Sequence, residues 1–142
     1  MKFFRSILLA ISLVSIPLTA IDKQAHIEGK FFSKLSDYRF FKDLTNQIPA
    51  DEVLPYQLQS ELFSDYTYKQ RFVYVPPAMK VEHEKNKVFM FPVGSVLIKT
   101  FSYQNTMSEL STQLLETRLL IHSEGGWKAV SYIWNEDQTE AY

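Results

Sequence analysis

The chain has 142 residues, a formal net charge of −1 and no cysteine, with 46% hydrophobic and 15% aromatic residues. That is one domain's worth of sequence with enough apolar side chain for a core, and its charge balance lacks the basic footprint that nucleic-acid binding needs. Without cysteine the chain holds no disulfide scaffold, no lipobox anchor, no C-x-x-C-H haem attachment, no zinc-thiolate site and no blue-copper thiolate.

The N-terminus has the three parts of a secretory signal peptide. Met1–Arg5 is a short cationic segment, Ile7 to Leu18 is apolar, and Pro17 breaks the run just before Leu18-Thr19-Ala20, where cleavage is expected. The apolar run is about a dozen residues, too short to span a bilayer comfortably, so the expectation is residues 1–20 removed and no stable membrane anchor left. The mature chain then loses Lys2 and Arg5 and becomes more acidic. Its expected location is periplasmic or extracellular.

Residues 21–34 are mostly polar and aperiodic, and read as a flexible lead-in. A short helix is expected next, with Ser36 as N-cap, Leu35, Tyr38, Phe41, Leu44 and Ile48 recurring three to four residues apart, and Pro49 as the stop. Asp51 to Asp65 reads as a loop. From there the period changes to two. Arg71–Val75 is strand-like and ends at Pro76-Pro77, and Met79–His83 and Val88–Phe91 are short strand candidates around a polar turn, Glu84–Lys87. Val96–Tyr103 follows, then a polar loop to Ser111. Leu114–His122 and Trp127–Trp134 form a hairpin across Ser123-Glu124-Gly125-Gly126, whose glycines suit a tight turn. One short helix followed by about six strands without helical crossovers predicts a mainly β fold: a single antiparallel, β-sandwich-like domain over residues 35–142.

Alternation along the last strands suggests where a site would lie. Lys99, Glu116, Arg118, Tyr132 and Trp134 would form one polar and aromatic patch if their faces align. Arg118 would clamp an anion and the rings would serve as platforms for a small ligand or glycan. The competing reading is cross-strand ion pairing on a solvated sheet face. Ser64 and Asp65, near Lys69 and Arg71, read as a turn, and no G-x-S-x-G surrounds either serine of that loop. The three histidines, His26, His83 and His122, are not spaced as a metal motif. A metal-dependent enzyme around His83 or His122 is therefore the third alternative, with no metal ligands assigned. Asn135–Glu140 is acidic but lacks the alternating ligands and glycine of a calcium loop.

Several segments taken together carry a resemblance. They are Leu54-Pro55-Tyr56; Leu62-Phe-Ser-Asp-Tyr66 with Lys69 and Arg71-Phe-Val-Tyr-Val-Pro76; Phe91-Pro-Val-Gly94 with Val96-Leu-Ile-Lys-Thr-Phe101; Glu116-Thr-Arg-Leu-Leu120; and Tyr132-Ile-Trp-Asn-Glu-Asp-Gln-Thr139. In this order they resemble the N-terminal β-rich part of an exported bacterial family whose longer members are di-haem c-type cytochromes. The resemblance spans roughly Leu35 to Ala141. It implies a β-rich module followed, in those longer members, by haem-attachment motifs. This chain has no cysteine, so it holds no haem c itself and reads as a shortened member, a fragment or one half of a split protein. The resemblance supplies no catalytic residues. What it implies is a non-catalytic module whose partner is a periplasmic, haem-bearing electron-transfer protein.

Overall fold

The computed structural model describes residues 20–60, 63–104 and 112–142. The expected leader, apart from Ala20, and the polar loop after Gln104 lie outside the described residues, as do Glu61 and Leu62.

Among the described residues the fold is mainly β, built from two antiparallel sheets and one short α-helix. The larger sheet is a five-stranded meander in chain order: β3 (Val53–Pro55), β4 (Tyr68–Tyr74), β5 (Val96–Gln104), β6 (Thr112–Ser123) and β7 (Gly126–Ile133). Each strand pairs with its sequence neighbour, so the connections need no helix. β1 (Phe41–Asp43) and β2 (Ile48–Pro49) form the small sheet.

The two-residue period sets the large sheet's inner face. Val96, Ile98, Thr100 and Ser102 of β5 are buried, as are Phe72 and Tyr74 of β4 and Thr117, Leu119 and Ile121 of β6. Against this face pack Leu35, Tyr38 and Phe40 from the N-terminal segment, and Trp134 and Ala141 from the C-terminal one. The chain closes beside its own last strand: Trp134 bridges Ala141, and Tyr142 exchanges two backbone hydrogen bonds with Ile133 (2.8 and 3.0 Å).

Three expectations for the N-terminal half are overturned: the stretch expected as a loop from Asp51 to Asp65 contains β3, which pairs with β4. The lead-in is not irregular: Lys23–Glu28 is an α-helix, α1. Asp22 caps it by accepting from the Ala25 N–H (3.1 Å), and Gly29 ends it in the left-handed region at φ 67°. With only Ile21, Ala25 and Ile27 as apolar neighbours, periodicity gave no sign of it, although the Asp and Gly caps did. The helix expected over 36–48 is instead one 3-10 turn (Leu35–Tyr38) and the β1–β2 hairpin. Ser36 caps no helix; its hydroxyl donates to Glu140 (2.5 Å). Arg39 turns left-handed at φ 59°. Asp43 accepts from the Asn46 backbone and side chain (3.0 and 2.8 Å), closing a turn in which Gln47 is also left-handed. Local turn chemistry outweighs the helical spacing here.

The close approach of α1 to the sheet depends on Gly29. A Cβ there would lie 2.9 Å from Ser123 Cβ and 2.7 Å from Lys128 Nζ, at a φ unfavourable to any L side chain. Gly29→Ala is expected to cost about 1–2 kcal/mol, read as a lower midpoint in urea denaturation. An unchanged midpoint would refute this account of the contact.

The β-rich half follows the expected strands closely at β4 to β7, with three differences. Met79–His83 and Val88–Phe91 meet only at one bridge, Glu82–Met90, between prolines and the left-handed Ala78 and Asn86. In the β6–β7 hairpin only Gly126 uses positive φ (96°). β6 carries a bulge: Phe101 faces Glu116 while Ser102 faces Leu114, so Leu115 is the extra residue. The bulge turns Leu114 to the inner face, where it is buried, rather than to the face of Glu116 and Arg118.

Candidate anion-binding face

The other face of the large sheet is open at Leu54, Leu120, Trp127 and Ile133. The strand register arranges its side chains in rows that run across the strands. One row is apolar: Leu54, Val73, Leu97, Leu120 and Ala129. The next is cationic: Arg71, Lys99 and Arg118, ending at Ser131. The third holds Lys69, Phe101, Glu116 and Ile133.

Lys99, Glu116 and Arg118, expected from sequence to share a face, do so. Arg118 grips Glu116 as a fork, Nε to Oε1 and Nη2 to Oε2, both 2.8 Å. Phe101 lies beneath two cations, with Lys99 Nζ 4.5 Å and Arg118 Cζ 4.8 Å from its ring centre. Partial burial, then the like charges of Arg71, Lys69 and Arg118, lower the Lys99 pKa against the pull of Glu116. The hydrogen bonds from Arg118 chiefly hold the Glu116 carboxyl below its usual range, with help from the Ser131 hydroxyl and against partial burial. Lys99 and Arg118 thus share the Phe101 ring, with the Glu116 carboxylate gripped by Arg118.

Sequence reasoning did not place Arg71, Lys69 or Phe101 in this group. Arg71 is 7% exposed and its guanidinium reaches the Lys69 carbonyl at 3.4 Å. It also lines a groove of about 520 Å³ with Pro55, Tyr56, Gln57, Lys69, Gln70 and Phe72. The available signal was the alternation of Lys69 and Arg71 on β4, but only the register with β5 connects them to Lys99.

Tyr132 and Trp134 are not part of the face, which corrects the five-residue patch. β7 pairs Tyr132 with Thr117, Val130 with Leu119 and Lys128 with Ile121, all inner positions of β6. Its even-numbered residues therefore point inward. Tyr132 is 2% exposed; its hydroxyl lies 2.8 Å from that of Tyr38 and donates to the Phe32 carbonyl at 2.7 Å. Burial first, and then the Tyr38 hydroxyl, push its ionisation far up. Trp134 donates from Nε1 to Thr117 Oγ1 (3.0 Å), which also meets Thr100 Oγ1 at 2.9 Å. Neither ring is a platform for an external ligand.

The histidines have separate settings. His26 is fully buried on α1. His83 lies 5.0 Å from Phe89, and His122 stacks on Trp127 at 4.5 Å with Nδ1 2.8 Å from the Phe91 carbonyl. Among the described residues, no group of three or more His, Asp or Glu side chains converges as a metal site. The acidic Asn135–Glu140 stretch is a tight turn in which Asn135 Oδ1 accepts from the Thr139 and Glu140 N–H groups (2.9 and 3.2 Å). Among the described residues, no helix is long and apolar enough to cross a membrane.

Fold and face together define a mainly β meander with one packed side and one open side of mixed cationic and apolar character. No family model, curated protein or solved structure matches the chain.

Proposed function

We propose that the protein is an exported, non-catalytic binding module whose open sheet face holds an acidic polypeptide partner. Lys99 and Arg118, held together over the Phe101 ring on the open sheet face, support this reading. On a chain of net negative charge, such a cluster steers and orients an acidic surface. The signal-like N-terminus supports export to the periplasm or medium, and recovery of a product beginning at Ile21 tests that part. The resemblance to the N-terminal region of di-haem c-type cytochromes makes an exported haem-bearing polypeptide the favoured partner. The haem would belong to that partner and not to this chain.

The binding part is tested by titrating the ¹⁵N-labelled chain with an oligoglutamate peptide at about 20 mM and about 200 mM salt. Saturable shifts should centre on Arg71, Lys99, Phe101 and Arg118 and weaken with salt. The double variant Lys99→Glu, Arg118→Glu should lose about tenfold or more in affinity while its spectrum stays folded. Shifts scattered over the surface, or an unchanged affinity in the double variant, would refute the proposal.

A further inference from the structure

The last strand of the large sheet is paired along one edge and only begun along the other. Even-numbered residues of β7 direct their N–H and C=O groups at β6, and Trp134 just beyond follows suit, donating to the Leu115 carbonyl at 3.1 Å. Odd-numbered residues direct theirs outward, as Ile133 does in exchanging two bonds with Tyr142. Ala141 and Tyr142 thus lay the first rung of a sixth antiparallel strand. Trp127, Ala129 and Ser131 continue that rail. All three are exposed, and among the described residues their outward N–H and C=O groups have no backbone partner. The opposite edge of the sheet is ill suited to the same pairing: β3 has three residues and ends on Pro55, which lacks an N–H.

We infer that the outer edge of β7 takes β7 of a second copy of this chain, antiparallel about a twofold axis at Ala129. Register selects that axis. It sets Trp127 opposite Ser131 of the second copy and Ala129 opposite its twin, so every outward residue exchanges both its bonds, about six in all. Gly126 of the second copy then falls beside Tyr132, one place short of the position that Tyr142 holds. An axis one residue earlier leaves Ser131 unpaired and sets Lys128 directly against Lys128, a like-charge pair. An axis one residue later needs Ile133, which Tyr142 already occupies. Side chains agree with the Ala129 axis on both faces. On the open face, the apolar row of Leu54, Val73, Leu97, Leu120 and Ala129 meets its own copy end to end. On the inner face, Lys128 lies opposite Val130 and not opposite a second lysine. Because the β3 edge does not repeat the offer, pairing closes at two chains and does not propagate as a fibre.

Sedimentation equilibrium of the natural chain tests this between about 10 μM and about 1 mM, a range suited to a small interface. The average mass is expected to climb from one chain toward two and to level there. Ala129→Asp and Ala129→Lys each place a charge against its own copy, so each variant alone should stay monomeric. An equal mixture of the two should recover the pairing, with about tenfold or more tighter association than either alone. Ala129 is exposed, so the fold should tolerate both changes. Ala129→Pro removes one outward N–H while leaving the bonds to β6 in place, and should also be monomeric. A natural chain monomeric throughout would overturn the inference and leave the edge to an extended strand of a different protein. A mixture no more associated than its components, or a mass that climbs past two chains, would also overturn it. None of these outcomes bears on the acidic-partner proposal, which concerns Lys99 and Arg118.

Discussion

Acidification from about pH 6.5 to about pH 4 is expected to remove about 3 kcal/mol of stability through one side chain, His26. The imidazole is fully buried on α1, and neither ring nitrogen has a hydrogen-bond partner. Three aromatic rings surround it: Tyr38 at 5.9 Å, Phe40 at 5.3 Å and Tyr74 at 5.6 Å. Burial pulls its pKa down to about 4, only partly offset by the Asp22 carboxylate at the helix cap. Tyr74 faces it from the sheet with its own ionisation pushed up to about 12, chiefly by burial, and Tyr38 is likewise shifted upward, so both rings are neutral in this range.

The sign follows from proton counting. Between the folded value and the unfolded value of about 6.5, the unfolded chain binds the proton and the folded chain refuses it, so stability falls as pH falls through that window. Above it both states are neutral at His26, and below it both are protonated. Urea denaturation of the natural chain and of His26→Phe across this range isolates the effect, because carboxylate contributions such as those of Asp43 and Glu116 are common to both. The variant fills the ring cluster without an orphaned N–H. It should be about 1 kcal/mol more stable at neutral pH and lack the His26 share of the acid loss. Parallel pH curves for the two chains would refute a buried neutral histidine.

Trp134→Ala should cost about 3–5 kcal/mol, the usual loss for a buried indole. The ring is 7% exposed and packs in the core beneath the sheet, and its Nε1–H reaches Thr117 at the buried end of the Thr117–Thr100 pair. Trp134→Phe keeps a ring but loses that hydrogen bond, for about 1 kcal/mol. Because Phe is the milder change, it remains measurable if the alanine variant fails to fold. Trp134→Phe should bind oligoglutamate as the natural chain does, since the side chain lies on the opposite side of the sheet from Arg118. A stability loss under about 1 kcal/mol for Trp134→Ala, or a binding loss in Trp134→Phe, would return this residue to the ligand face.

The strands from β4 to β7 were legible because Val96, Ile98 and Thr100, and later Thr117, Leu119 and Ile121, alternate so regularly that extended backbone is the one arrangement that buries them together. The turn after Ser123 was legible from its two glycines. The N-terminal half was not. The spacing of Tyr38, Phe41 and Leu44 fits a helix, yet the Asp43–Asn46 turn and the left-handed Arg39 and Gln47 break it. α1 is six residues long and has little periodicity to offer; its caps were its only mark.

For the candidate site, alternation within β5 and β6 was enough to bring Lys99, Glu116 and Arg118 to one side. It was not enough to place Tyr132 and Trp134, because a strand's inward parity depends on pairing with its neighbour, and one residue of slip exchanges its faces. Arg71 entered the group through its register with Lys99, whereas alternation along β5 already set Phe101 beside Lys99; the Leu115 bulge moved Leu114 off that face. The amino-acid sequence by itself determined the mainly β architecture and the chemistry available along each strand, since both follow from side-chain order within a few residues. Tertiary structure decided which strands' faces coincide, and so made a row of cations beside an apolar row, because register is set by contacts between residues far apart in the chain.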